Sequence, residues 1–327
     1  MHMDALLPIP VVFLGANAAL AERLRACYAR IKWEDEYRIA PGFVAKAARH
    51  WGAVVPEKGR GLVYVEITDA GTAGESRLIR EIGDCNPSLQ IVLLADDGID
   101  YFGIARDFHI GNVIKKGLFD DDIIRALTIR LLTGNIFGFA PYFPDGFAVG
   151  PLYRTFAGQV RVESAIDECF RACQTYVNPE EQASFRVFLH ELMLNTFAYA
   201  IEGITPEERD AKLLKAPPEV EIPERLGIKI SLVGDKEKLG VSVMDSTGSL
   251  SMLRVLEKLR RQSKIGDEKM PPGIWDESGR GISMVYRYSR FIVNILRGVR
   301  TETIFLQYHE KELNRFESII ITEVNPF

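Results

Sequence analysis

The chain has 327 residues, 47% of them hydrophobic and 26% charged, with 40 basic and 45 acidic side chains for a net charge of −5. That length suggests two domains of roughly 150 residues, and neither half is basic enough to grip nucleic-acid phosphates or an anionic membrane surface. The four cysteines (Cys27, Cys85, Cys169, Cys173) form no CxxC pair, and the five histidines are scattered. This argues against a His/Cys metal site and for a reducing cytoplasm.

The first 133 residues alternate strand and helix signals. Ile9 to Leu14 is a short apolar run closed by Gly15, and a helical pattern follows from Ala18 to Ile31. Phe43 to Arg49 is ambiguous. Leu62 to Ile67 reads as a buried strand, Arg77 to Ile82 as helix and Ile91 to Ala95 as strand. A helix over about Tyr101 to Phe108, a short strand at Asn112 to Ile114 and an amphipathic helix from Asp120 to Leu132 complete the half. The last helix opens on acids and carries arginine near its end, as the helix dipole prefers. Such alternation predicts a doubly wound parallel sheet.

Residues 134–153 mix Gly and Pro with Phe137, Phe139, Tyr142, Phe143 and Phe147. A floppy tether would be polar, so an ordered crossing between two packed domains is expected. Helix signals follow at Arg154 to Val177 and Pro179 to Ile201. Strand alternation sets in at Ile228 to Val233 and Val241 to Met244, then again at Phe291 to Leu296 and Thr303 to Tyr308. A helix at about Leu250 to Gln262 lies between them. Helices first and mainly antiparallel strands after make an α+β sandwich over residues 154–310. The tail, residues 311–327, carries the apolar run Ile319 to Val324, read as an extra strand or a docking segment. No run approaches the ~20 apolar residues that span a bilayer, and the N-terminus lacks the features of a secretory signal.

Three short motifs of the second half stand in a telling order. Glu191 and Asn195 are four apart in His190-Glu-Leu-Met-Leu-Asn195, hence on one helix face. Asp245 ends a strand and is followed by Ser246-Thr247-Gly248-Ser249. Gly279-Arg280-Gly281 opens a helix. A strand-end carboxylate can accept a proton from an adenine amino group. Glycines before a helix present backbone N–H groups to phosphates. An amide oxygen suits Mg²⁺, a hard ion, and a carboxylate one turn away can serve as general base. Each piece alone is commonplace: a solvated face, turn chemistry, backbone geometry.

Together the motifs resemble the Bergerat-fold (GHKL) ATP-binding domain shared by histidine kinases, gyrase and the bacterial anti-sigma-factor serine kinases. The resemblance covers residues about 155–310, a two-layer α/β sandwich in that family. Glu191 and Asn195 match its N-box, Asp245 its first glycine box, Gly279 and Gly281 its second, and Gly298 with Thr301 its terminal element. The resemblance implies Glu191 as general base, Asn195 as Mg²⁺ ligand and Asp245 as adenine anchor. It places Gly248 beside the nucleotide, Gly279, Arg280 and Gly281 on phosphates, and Thr301 beneath the adenine. ATP or ADP with Mg²⁺ would be the cofactors. The first glycine box departs from Asp-x-Gly-x-Gly, with Thr247 and Ser249 in place of glycines. The spacing is most similar to the anti-sigma kinases, and no phosphoacceptor histidine helix is present.

Residues 1–133 are similar to a response-regulator receiver, here a pseudo-receiver. Lys115-Lys116 follows the short strand where the receiver lysine belongs, but Gly15-Ala16-Asn17 stands where two metal-binding acids are needed. The phosphoacceptor position falls on or near Glu66. Glu66 is then either an exposed strand-end acid without a role, or a partner of Lys115 or Lys116 imitating a phosphorylated state. Two function classes follow. One is a cytoplasmic anti-sigma-type serine/threonine kinase or ATPase acting on an anti-sigma-antagonist-like or other signalling protein, with a receiver-like docking domain. The other is a nucleotide-sensing or nucleotide-free adaptor. A homodimer stays open, and nucleic acid and membrane are not expected partners.

Overall fold

The computed structural model describes residues 9–31, 33, 39–68, 72–96, 99, 101–200, 219–263, 285, 289–310 and 318–326. The chain divides into two compact units, Met1–Pro144 and Asp145–Phe327.

In the first unit, β1 (Ile9–Leu14), β2 (Pro41–Lys46), β3 (Gly61–Ile67), β4 (Leu89–Ala95) and β5 (Asn112–Lys115) form a parallel sheet. Their order is β2-β1-β3-β4-β5, a doubly wound arrangement. The ambiguous stretch at Phe43 is thus a strand on the sheet edge. β3 is buried along its whole length, as expected where helices cover both faces of a parallel sheet.

Three helices, α1 (Ala18–Arg30), α2 (Thr72–Cys85) and α3 (Phe102–Asp107), link the strands, and α4 (Asp121–Thr133) follows the last one. Caps fix two of the starts: Asn17 Oδ1 accepts from Leu20 N at 3.0 Å, and Asp120 Oδ1 from Ile123 N at 3.0 Å. The triple Asp120-Asp121-Asp122 is therefore helix-start chemistry, with Asp121 paired to Arg30. Between β2 and β3 there is only a six-residue 3-10 helix, Ala48–Ala53. A buried hydroxyl chain ties α1, β3 and α4 together. Tyr28 Oη lies 3.0 Å from Tyr64 Oη and 2.6 Å from Thr128 Oγ1, which donates to Ile124 O.

The Gly/Pro/aromatic stretch packs on α4 in its first part. Arg125 donates to Pro141 O, Arg130 donates to Gly138 O, and the Arg130 guanidinium sits 4.5 Å from the Tyr142 ring centre. Phe139, Tyr142 and Phe143 are buried, with Phe139 and Phe143 edge to face.

In the second unit, β6 (Val149–Phe156) and β7 (Gly158–Arg161) precede α5 (Val162–Cys173). The helix expected from Arg154 is corrected here: residues 154–156 are strand. Arg154 and Thr155 pair with Ile230 and Lys229 of a strand remote in sequence, and that pairing overrides the local helical pattern. α6 (Gln182–Ala200) follows, then β8 (Glu219–Ile222), β9 (Ile228–Gly234), β10 (Lys238–Asp245), α7 (Met252–Ser263), β11 (Arg290–Leu296), β12 (Arg300–Tyr308) and β13 (Ile319–Val324).

The strand order is β13-β11-β12-β10-β9-β6, and β7 and β8 make a separate antiparallel pair. Most neighbours are antiparallel, but β11 and β13 run parallel, so the tail is a strand of this mixed sheet. α6 packs on the sheet through Phe185 and Phe188, both edge to face with Phe305. Cys169 and Cys173 lie on the buried stripe of α5 with Val162, Ala165 and Ile166, an amphipathic spacing that makes them core residues. Among the described residues no helix is long and apolar enough to cross a membrane.

Candidate functional site

α6 brings the first pair of residues to the second unit's sheet. Asn195 Nδ2 donates to the backbone oxygen of Glu191 at 2.7 Å. That bond fixes the amide orientation and makes Oδ1 its outward acceptor. Glu191 is half-buried. Burial raises its carboxyl above the ordinary value against a smaller opposing effect from His190, so it holds a proton to higher pH than an exposed glutamate.

Asp245 is the last residue of β10 and is 4% exposed. Its Oδ1 accepts from Thr247 N at 2.8 Å and also from the Thr247 hydroxyl. Thr247 Oγ1 stands 3.0 Å from Ser249 Oγ. The two residues that depart from the glycine-box pattern thus build an Asx-type turn on the acid itself. Thr301 of β12 is the direct cross-strand partner of Asp245. It is buried, and its hydroxyl has no hydrogen-bond partner.

Asn195, Asp245 and Thr301 line one cavity, together with Leu192, Thr196 and Lys258 among others. Its volume is about 30 Å³. That is room for a water or two rather than a purine. Sequence reasoning missed Thr196 and Thr303, although Thr303 follows from Thr301 by strand alternation. The basic side chains of α7 at Arg254, Lys258 and Arg260 are half-buried. Lys258 is in the cavity wall. Glu191 shares the helix but not that wall.

Gly248 has φ +55°, and a Cβ there would lie 2.3 Å from Leu296 O and 2.5 Å from Val299 N. Its carbonyl accepts from Gly298 N at 3.1 Å. The glycine lets the loop after Asp245 press on the β11–β12 turn. Gly279, Arg280 and Gly281, expected on phosphates, lie outside the described residues.

The first unit holds a second polar centre. Glu66 is 7% exposed, which overturns its reading as an exposed acid. Its Oε2 accepts from Ala16 N at 2.8 Å and Asn17 N at 3.0 Å, and its Oε1 is 2.9 Å from Lys116 Nζ. Lys116 also reaches Asp96 at 2.8 Å. Burial pulls the Lys116 pKa down, but the bonds and charges of Asp96 and Glu66 outweigh it, for a net rise. Lys116 rather than Lys115 is therefore the partner, while the Lys115 ammonium lies 5.3 Å from the Tyr101 ring centre.

Gly15 is a condition of this arrangement, because a Cβ there would lie 2.5 Å from Glu66 Oε2. A helix N-terminus and a lysine, the usual holders of an anion, are thus occupied by the chain's own carboxylate. Among the described residues no group of His, Cys, Asp and Glu could hold a metal ion. No protein-family model matches the chain, and no curated protein matches it either.

Proposed function

We propose that residues 145–327 form an ATP- or ADP-binding unit of the kind their motifs resemble, an anti-sigma-type protein serine/threonine kinase or ATPase. The first unit would be a receiver-like docking module whose output does not depend on phosphorylation. The partner would be an anti-sigma-antagonist-like or other signalling protein in the cytoplasm. One observation carries the nucleotide reading. Asn195, Asp245 and Thr301, from three separate elements, line one cavity, and the Thr301 hydroxyl in it is unsatisfied. An unpaired buried hydroxyl costs about 1–3 kcal/mol, a cost a ligand can relieve.

The donor chemistry of the walls suits the group. Asp245 would accept from the adenine amino group, Thr301 would line the base side of the pocket, and Asn195 Oδ1 would offer Mg²⁺ a hard oxygen. Bound Mg²⁺ would neutralise charge building up on the phosphates. Glu191 takes the proton of an attacking hydroxyl or water once it is ionised. Gly279, Arg280 and Gly281 would hold phosphates. Volume sets a condition: with about 30 Å³ available, the Leu250 to Lys258 side must draw back for a purine to enter.

A second reading, the nucleotide-free adaptor, is favoured by the same small volume and by the Thr247 turn that occupies Asp245. Calorimetry of Mg-ATP and Mg-ADP separates the two. In the enzyme reading the wild type binds, and Asp245→Ala weakens ATP about ten- to a hundredfold, since a charged hydrogen bond contributes about 1.5–3 kcal/mol. Glu191→Ala keeps its affinity and loses turnover, because a base acts in the transition state. No measurable affinity of the wild type for either nucleotide leaves the adaptor.

A further inference from the structure

The first unit contains a much larger cavity, about 630 Å³, that has no part in the nucleotide reading. It opens at the carboxyl ends of β1 and β3, between Leu14 and Gly15 on one side and Glu66 and Thr68 on the other. In the order β2-β1-β3-β4-β5 that is the point where the winding direction reverses, the place where open α/β sheets take their ligands. The volume falls in the range of small-molecule sites. Its origin is the short β2–β3 crossover. Six residues of 3-10 helix stand where the neighbouring crossovers have helices of 13 and 14 residues. The space left against α2 is bounded by Trp51 of the short helix and by Glu75, Leu78 and Glu81 of α2.

The hydrogen bonds of the wall select a chemistry. Glu66 is spent on Lys116 and two backbone amides. Glu81 takes Arg77 at 2.7 Å and the Trp51 indole N–H at 3.3 Å. Glu75 is different. Its Oε1 accepts from Thr68 Oγ1 at 3.0 Å and Thr68 N at 3.3 Å, while its Oε2 is buried without any partner. A carboxylate oxygen left so demands a donor. The cavity is lined besides by an indole and two leucines, and its acids, Glu75 included, number three against one arginine.

We propose that this cavity is a binding site for a small aromatic or heteroaromatic amine or amidine, its cationic N–H groups on Glu75 Oε2 and its ring along Trp51 and Leu78. Anions of the same shape are excluded by the acidic wall.

The test uses the full chain with phenethylamine, benzamidine and tryptamine as probes and phenylacetate as the anionic control, measured by calorimetry and by chemical-shift changes at Trp51. The cationic probes bind saturably and phenylacetate does not. Glu75→Gln weakens them at least tenfold. Gly74→Leu removes binding by filling the space, since a Cβ built on Gly74 meets nothing within 4 Å. That change replaces a helical glycine by a better helix former, so the variant folds. Circular dichroism and the melting temperature of both variants establish that the fold is kept. The proposal is overturned if the three cations bind no better than phenylacetate, or if binding survives both substitutions. Neither outcome bears on ATP in the second unit.

Discussion

Asp245 of β10 and Thr301 of β12 face each other directly across an antiparallel strand pair, and their side chains line the same cavity. One is held by a turn of its own making, and the other carries a hydroxyl with no partner. Replacing Thr301 by valine keeps the shape and removes the unsatisfied group. Thr301→Val should raise stability by about 1 kcal/mol, read as a higher urea midpoint at unchanged m-value, and should lower nucleotide affinity. A fall in stability of that size would mean that the hydroxyl is bonded.

Gly248 is expected to matter for folding whatever the unit binds. With φ +55° and backbone atoms of Leu296 and Val299 within 2.5 Å of any Cβ, alanine adds strain that neither side can relieve by rotating a side chain. Gly248→Ala should cost about 3 kcal/mol in denaturant titrations without nucleotide. A loss confined to nucleotide affinity would assign the glycine to the ligand instead.

The Glu66 centre predicts two behaviours of the first unit. Acetyl phosphate with Mg²⁺ should leave no acid-labile adduct on residues 1–133 in intact-mass measurements, because the anion position is filled and the metal-binding acids are absent. Lys116→Met should destabilise the unit by about 3 kcal/mol, the usual result of stranding a buried charge. Stoichiometric aspartyl or glutamyl phosphate in that segment would overturn this account of Glu66.

At alkaline pH four groups of the first unit work in the same direction. Burial lifts the Cys27 thiol and the Tyr64 hydroxyl to about 12 and Tyr28 well above its ordinary value, and the net effect on Lys116 is a rise. A group whose pKa is raised on folding lends stability that is complete below its unfolded pKa and is lost as pH climbs through the folded one. With unfolded values of about 8.5 for cysteine, about 10 for tyrosine and about 10.4 for lysine, the first unit should hold its stability to about pH 8.5 and lose it steadily above, most steeply beyond about pH 10. Thr128→Val, which removes a hydroxyl from the Tyr28 chain, should lower the whole curve in a pH series of thermal melts.

Thiol reactivity gives a further check. Cys27, Cys169 and Cys173 are buried, and burial lifts the Cys27 and Cys169 thiols to about 12 and Cys173 higher still. Cys85 alone is half-exposed. At pH 8 a thiol reagent should label one equivalent quickly, at Cys85, and the other three at the rate of unfolding. Fast labelling of the α5 pair would show that helix opening locally.

Local sequence determined what depends on neighbours in the chain. The apolar runs at Ile9, Leu62 and Ile91 become parallel strands, the middle one buried throughout and the other two buried from Val11 and Val92 onward, as suits a sheet covered by helices. Asp120 and Asn17 cap helices because an acceptor three residues before an amide needs no remote partner. Cys169 and Cys173 fall on the buried stripe of α5 by periodicity alone. Asn195 and Asp245 were placed on a helix face and a strand end by the same rules.

What the sequence could not state is which remote groups meet. Arg154 to Phe156 carry a helical signal, yet become an edge strand because β9 offers backbone partners over seventy residues on. Glu66 was an acid of two readings until Lys116, fifty residues away, and the amides of Ala16 and Asn17 closed on it. Thr301 became a cross-strand neighbour of Asp245 only through the register of β10 and β12. The cavity beside Trp51 has no motif, being the space left by a short crossover. Propensity, capping and periodicity act over a few residues, whereas burial, register and cavity shape belong to contacts that exist only once the chain has folded.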